Sequence, residues 1–304
     1  MPNQSNSSRA ALLMVIAAVL FGTTGTTQAF APDGATPLSI GAVRQATGGV
    51  LLAGIGVAGW VLNHGWRLPR WSRKAGWVLL GGACVMAFQA TFFVGTRANG
   101  VAVGTVVALG SSPLFAGLFE WMRGELPTRR WAVATGVAVV GLVLLSGFVG
   151  GSGTLVPLGL LASLAAGAAY AGYAVAASIL LRSGLSALPA TSALIGTSGL
   201  IALAILPFTD NAWVASAGGL AVTAWLGLVT VVVTYLLVGT ALKHLTASTA
   251  ITLGLAEPIT AAALGVLVLG EALAPVQWLG LAAVLAGVLI AGTEPRAAAP
   301  PPLG

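Results

Sequence analysis

Residues 237 to 271 read LVGTALKHLTASTAITLGLAEPITAAALGVLVLGE, and residues 93 to 125 read FVGTRANGVAVGTVVALGSSPLFAGLFEWMRGE. Val94-Gly95-Thr96 falls on Val238-Gly239-Thr240, and Leu109-Gly110 falls on Leu253-Gly254 without a gap. Pro113 then meets Pro258 after one inserted residue, and Gly124-Glu125 meets Gly270-Glu271 after another. Trp131 and Trp278 follow at corresponding places. The shared order of these marks reads as an internal repeat.

Both stretches are apolar, and so is most of the chain. Of 304 residues, 57% are hydrophobic and 7% charged, a balance that could not clothe a water-soluble globule of this size. A bilayer core takes about 20 apolar residues per helix. Runs of that length recur at 10–30, 37–61, 75–96, 100–121, 130–148, 156–181, 187–207, 214–241, 247–270 and 275–292, which predicts ten helices. Arg9, the apolar stretch from Ala10 and Ala29-Phe30-Ala31 imitate a cleavable signal peptide. That run is long enough to span, however, and the repeat needs it as its first helix. The Pro/Ala-rich segment 293–304 reads as a disordered tail.

Basic residues fix the orientation. With a cytoplasmic N-terminus, 11 of the 13 Lys and Arg residues fall on inside segments, from Arg9 through Arg67, Arg70, Arg73 and Lys74 to Arg296. Only Arg97 lies in an outside turn, and Arg44 lies within a helix. Both termini are then cytoplasmic. Scattered in short turns, these charges read as topology signals and offer no surface for nucleic acid. Five spans per half, 10–148 and 156–292, force the second half into the membrane upside down. The fold class expected is therefore an all-α integral membrane protein, ten helices in two inverted repeats around a central cavity.

Enzyme chemistry finds no support. His64 and His244 sit at cytoplasmic turns, and Gly151-Ser152-Gly153 lies in an outside turn with no histidine on that side. Neither a phosphate loop nor paired metal ligands occur, so no cofactor is implied and ATP-driven work by this chain finds no site. Cys84, the only cysteine, reads as packing.

Two charges lie at depth. Glu257 is ten residues into its helix, about 15 Å along a roughly 30 Å core. Facing lipid it would cost about 2.5 kcal/mol or more. It shares a stripe with the small residues Ala250, Gly254, Ala261 and Gly265, so a neighbouring helix or a cavity approaches it closely. Either a structural hydrogen bond or a protonatable, ammonium-binding carboxylate fits that place. Arg44 reaches inward to Glu257 or to a substrate carboxylate, or it snorkels to the headgroups. Gln89 offers hydrogen bonds, and Tyr170 with Tyr173 offers an aromatic wall. Thr23, Thr24, Thr26 and Thr27 crowd the first helix, where one or two are expected to face a cavity. Glu120, near Arg123, reads as a surface pair. Pro113 and Pro258 each predict a kinked helix with a spare carbonyl, on Leu109 and Gly254 respectively. The residue before the proline is Ser112 in one half and Glu257 in the other. A carboxylate that the architecture does not repeat is the better candidate for function.

With Leu20-Phe21-Gly22, Arg44, Ser112-Pro113, Gly124-Glu125, Ala256-Glu257-Pro258 and Gly270-Glu271 in place, the chain resembles the EamA-type transporters of the drug/metabolite transporter superfamily over residues 10–292. The resemblance implies export of a small metabolite, an amino acid or related amine, across a bacterial cell membrane, with the lipid bilayer and a small-molecule substrate as partners. Protons are the candidate coupling ion. A multidrug exporter and a non-transporting scaffold or sensor of the same fold are the alternatives.

Overall fold

A computed structural model describes residues 4–64, 74–99, 101–146, 156–270 and 272–293. Arg67, Arg70, Arg73, Gly151-Ser152-Gly153, Glu271 and the tail beyond Thr293 lie outside the described residues, and so do the side chains of residue 64 and residues 101–102. The described chain is all-helical: α1 (Gln4–Ala29), α2 (Pro37–His64), α3 (Ala75–Asn99), α4 (Val101–Met122), α5 (Arg129–Leu145), α6 (Pro157–Arg182), α7 (Ala187–Ile205), α8 (Ala217–Ala241), α9 (Ala247–Gly254), α10 (Glu257–Leu269) and α11 (Pro275–Gly292).

Among the described residues, nine segments are long and apolar enough to cross a membrane, α9 and α10 together forming one of them. The tenth expected span, α5, is described over 17 residues, about 25 Å of helix. Large apolar side chains cover the outside: Leu62, Leu79, Leu161, Leu200, Leu267 and Leu279 are each more than 60% exposed. A water-soluble protein does not present apolar surface on this scale, whereas a lipid-facing one must. Inside, small residues let the helices approach. α1 belongs to this interior, since Ala10, Met14, Ala17 and Ala18 are buried in the main core.

Helix pairing is regular. α2 packs on α7, α5 on α11, and α6 between α3 and α4, while α1 packs on α8 and on α9 with α10. Exchanging α1 with α6, α2 with α7, α3 with α8, α4 with α9 and α10, and α5 with α11 turns each of these pairings into another or into itself. The Gly-Glu marks also agree locally. Gly124 and Gly270 end their helices at φ +81° and +72°, a left-handed conformation in which a side chain would be strained.

Two helices depart from regularity. α8 widens into a π-helical stretch at Trp225–Val233, where the Thr234 hydroxyl donates to the Val229 carbonyl five residues back. The run 247–270, expected as one kinked helix, is two. α9 ends at Gly254, a turn follows at Leu255 and Ala256, and α10 starts at Glu257 with Pro258 in its first turn. The reason is that proline fits the first turn of a helix, where its missing N–H has no partner to lose. In α4 the equivalent Pro113 stays inside a continuous helix.

Candidate functional site

The break before Glu257 sets the site. It interrupts the backbone in the middle of the bundle and puts the carboxylate on the first residue of a new helix, the positive end of that helix dipole. α1 closes on this point through Gly22. A Cβ added there would stand 2.5 Å from Thr260 Cβ and 2.7 Å from the Glu257 carbonyl oxygen, so only glycine allows the contact.

Arg44 of α2 turns inward and does not snorkel. Its guanidinium stands over the Phe21 ring, 5.8 Å from the centroid, within cation–π range. It shares the electrostatic environment of Glu257 and Tyr235, yet it makes no ion pair with Glu257 within 4.0 Å. Its Nε is buried without a hydrogen-bond partner among the described residues. Behind Phe21 the aromatic rings are edge-packed: Phe21 meets Tyr235 at 5.3 Å between centroids, and Tyr235 meets Tyr173 at 5.5 Å. This chain holds the guanidinium from one side.

Tyr170 of α6 lies on the other flank. Its ring tilts against Phe88 at 5.7 Å, and its hydroxyl lies 3.6 Å from where Gly254 would carry a Cβ, beside the end of α9. Gln89 of α3 faces α2, its Nε2 3.7 Å from the corresponding point on Gly41, one helical turn before Arg44. Glu257, Arg44, Tyr170 and Gln89 are all half-buried, and Tyr173 is buried as a packing residue. The structure thus brings Glu257, Arg44, Tyr170 and Tyr173 into one neighbourhood. Tyr235 and Phe21 complete it, though α8 carries no charge and no pattern in it singled out Tyr235.

Ser112 stands apart. It is fully buried, and its hydroxyl donates to the Leu109 carbonyl at 2.8 Å, the acceptor that Pro113 leaves without a backbone partner. The spare carbonyl expected in α4 is therefore satisfied within its own helix.

Glu120 was expected on the surface beside Arg123 and is instead 5% exposed. Its carboxylate accepts from the Ser248 backbone N–H at 3.1 Å and from the Ser248 hydroxyl at 2.5 Å, at the start of α9. Desolvation and the free N–H groups of a helix N-terminus explain the partner: a carboxylate there is worth more than one in water. The surface pairing falls to Glu125, whose two oxygens both accept from Arg182 Nη1 at 2.7 Å. A pocket at this end, lined by Glu120, Glu125, Ser178 and Arg182 among others, holds about 10 Å³. One turn beyond the contact of Gly22 with Thr260, towards the ends of α1 and α10, a cavity of about 290 Å³ opens between Thr23, Thr26, Thr27, Phe30, Trp225 and Leu264. Three threonines line it, more than expected. Two of them also bond back to their own helix, Thr23 to Leu20 and Thr27 to Thr23.

The fold and this interior define a multi-pass α-helical membrane protein with polar groups gathered at a broken helix. The chain belongs to the EamA-like transporter family, within the drug/metabolite transporter superfamily, and the family profile matches twice, at residues 8–147 and 157–293. The resemblance read from the motifs is borne out. An uncharacterized transporter from Bacillus subtilis (strain 168), YwfM, is 36% identical over 287 residues, which is 94% of this chain and 94% of that protein. One solved crystal structure is similar in fold, with a TM-score of 0.74 at 23% identity over 93% of this chain and 97% of that one.

Proposed function

We propose that this protein is a secondary transporter that carries a small metabolite, an amino acid or a related amine, outward across a bacterial cell membrane by alternating access. Its two inverted five-helix halves, 10–148 and 156–292, rock about the broken α9–α10 segment, with both termini in the cytoplasm. The observation that carries this reading is the half-buried interior that Glu257 and Arg44 share with no ion pair between them. A zwitterion presents both charges to such a pair: its ammonium to Glu257, and its carboxylate to the Arg44 guanidinium, whose Nε has a hydrogen bond to give. Tyr170 and Gln89 bound the same space, and the rings of Phe21 and Phe88 suit an apolar side chain. Intramembrane ionisable groups that face protein are candidate functional groups for the same reason.

Exchange of a proton at Glu257 is the candidate coupling step, since substrate ammonium and proton compete for one carboxylate. Purified protein in liposomes, offered a panel of labelled amino acids and amines under imposed substrate and proton gradients, tests both parts. Flux is expected for at least one member, and Glu257→Gln is expected to reduce it at least about tenfold, the effect of losing one charge-assisted contact. No flux for the whole panel rejects the substrate class. Undiminished flux in Glu257→Gln with an unchanged pH profile removes Glu257 from the mechanism.

A further inference from the structure

The two ends of the bundle are unlike. Along α9 and α10, Ser248 stands nine residues before Glu257 and Leu264 seven after it, about 13 Å and 10 Å along the helices. Around Leu264 the helices leave about 290 Å³. The pocket beside Glu120 and Ala247 holds about 10 Å³, room for no more than a water. What fills the second end is a contact between the halves: Glu120, on the last turns of α4, reaches across to the first turn of α9.

We propose that the Glu120–Ser248 contact is the latch of a gate, closed in this structure, that seals the end of the bundle carrying Arg182 while the end carrying Trp225 stands open. The proposal rests on the alternating-access reading above. The latch is built for making and breaking. Its carboxylate takes two donors from the opposite half, the backbone N–H and the hydroxyl of Ser248. Thr246 caps α9, its Oγ1 accepting from the Thr249 N–H at 3.2 Å and lying 3.0 Å from the Ser248 hydroxyl, so α9 keeps a cap when the carboxylate leaves. The Glu125–Arg182 pair joins the turn after α4 to the end of α6 and lines the same small pocket as Glu120. α9 is the half of the broken span that ends at the Glu257 site, so movement of its first turn is passed to Gly254, beside the Tyr170 hydroxyl.

Cys84 is the single cysteine, so Cys84→Ala provides a background for reporters. Ser178→Cys reports the closed end and Thr26→Cys the open one, each read as its rate of labelling by a membrane-impermeant maleimide in oriented vesicles. Weakening the latch by Ser248→Ala, which removes the hydroxyl and leaves the backbone N–H, and separately by Glu120→Gln, which removes the charge, is expected to raise labelling at Ser178→Cys several-fold and to lower it at Thr26→Cys. Ser248→Thr, which keeps the hydroxyl, is expected to restore the original rates. Faster labelling at both ends, or a fall in thermal stability with no opposite change between the ends, would show a structural cap and overturn the latch. Unchanged rates at both reporters overturn it as well. Amino acid and amine flux of the unsubstituted protein in the same vesicles separates the two ideas: flux without reciprocal labelling rejects the latch alone, and reciprocal labelling without flux keeps the gate and rejects the substrate class.

Discussion

The Ser112 hydroxyl donates to the carbonyl oxygen of Leu109 at 2.8 Å, on the helix turn where Pro113 removes the backbone donor. Ser112→Ala leaves that acceptor buried with no partner. Such a group costs about 1–3 kcal/mol, and the loss should appear as a lower unfolding midpoint in detergent. Ser112→Thr keeps the hydroxyl and should retain most of the stability. An unchanged midpoint in the alanine variant would mean that the carbonyl finds another donor.

The same comparison marks where sequence reasoning succeeds and stops. A proline in each half, Pro113 and Pro258, is visible at once, and so are the left-handed glycines Gly124 and Gly270 that close the two helices. What distinguishes the halves is finer: a serine before proline mends its own helix, whereas Glu257 follows a turn at Leu255 and Ala256 and starts a new one. Glu120 was misread for a related reason. Arg123 lies three residues away along the helix, but the real partner, Ser248, is 128 residues distant, and only packing brings it near. Run lengths identify spans, yet in a segment with no charged residue, such as α8, nothing tells which face turns inward, so Tyr235 became visible only in three dimensions.

Gly22 and Gly25, three residues apart on α1, should respond to alanine with opposite signs. At Gly22 a Cβ meets Thr260 and the Glu257 carbonyl at 2.5 and 2.7 Å, and α1 must move off α10. Overpacking of this kind costs about 1–3 kcal/mol. At Gly25 nothing lies within 4 Å, and helix propensity favours alanine by up to about 1 kcal/mol. Unfolding midpoints of the two variants, measured side by side, check the prediction. Equal destabilisation by both would refute the close approach of α1 at Gly22.

The Arg182–Glu125 pair is short but rim-placed, with side chains 32% and 20% exposed. Pairs of this kind are worth about 0.2–1 kcal/mol and are screened by salt. Arg182→Ala should therefore shift the unfolding midpoint slightly at low ionic strength and hardly at all in about 0.5 M salt, where screening acts within a few ångströms. A large, salt-independent loss would assign the pair a buried structural role that its exposure contradicts.

Arg44→Lys is the sharpest test of the interior. Lysine keeps the charge and nearly the length, so a site that needs only a positive potential near Glu257 should tolerate it. The geometry asks for more: a flat guanidinium stands over the Phe21 ring at 5.8 Å, and the buried Nε has a hydrogen bond to give. An ammonium has no plane to lay on the ring and no fixed fork to present to a carboxylate. Arg44→Lys should therefore lower flux of the transported amino acid about tenfold or more through weaker binding, with a raised half-saturation concentration and a smaller change in maximal rate. Phe21→Leu should move the same parameter in the same direction by less, since it removes the ring and keeps the charge. If Arg44→Lys leaves half-saturation unchanged while Arg44→Ala abolishes folding, the guanidinium serves packing between α1, α2 and α8, and the substrate carboxylate is held elsewhere.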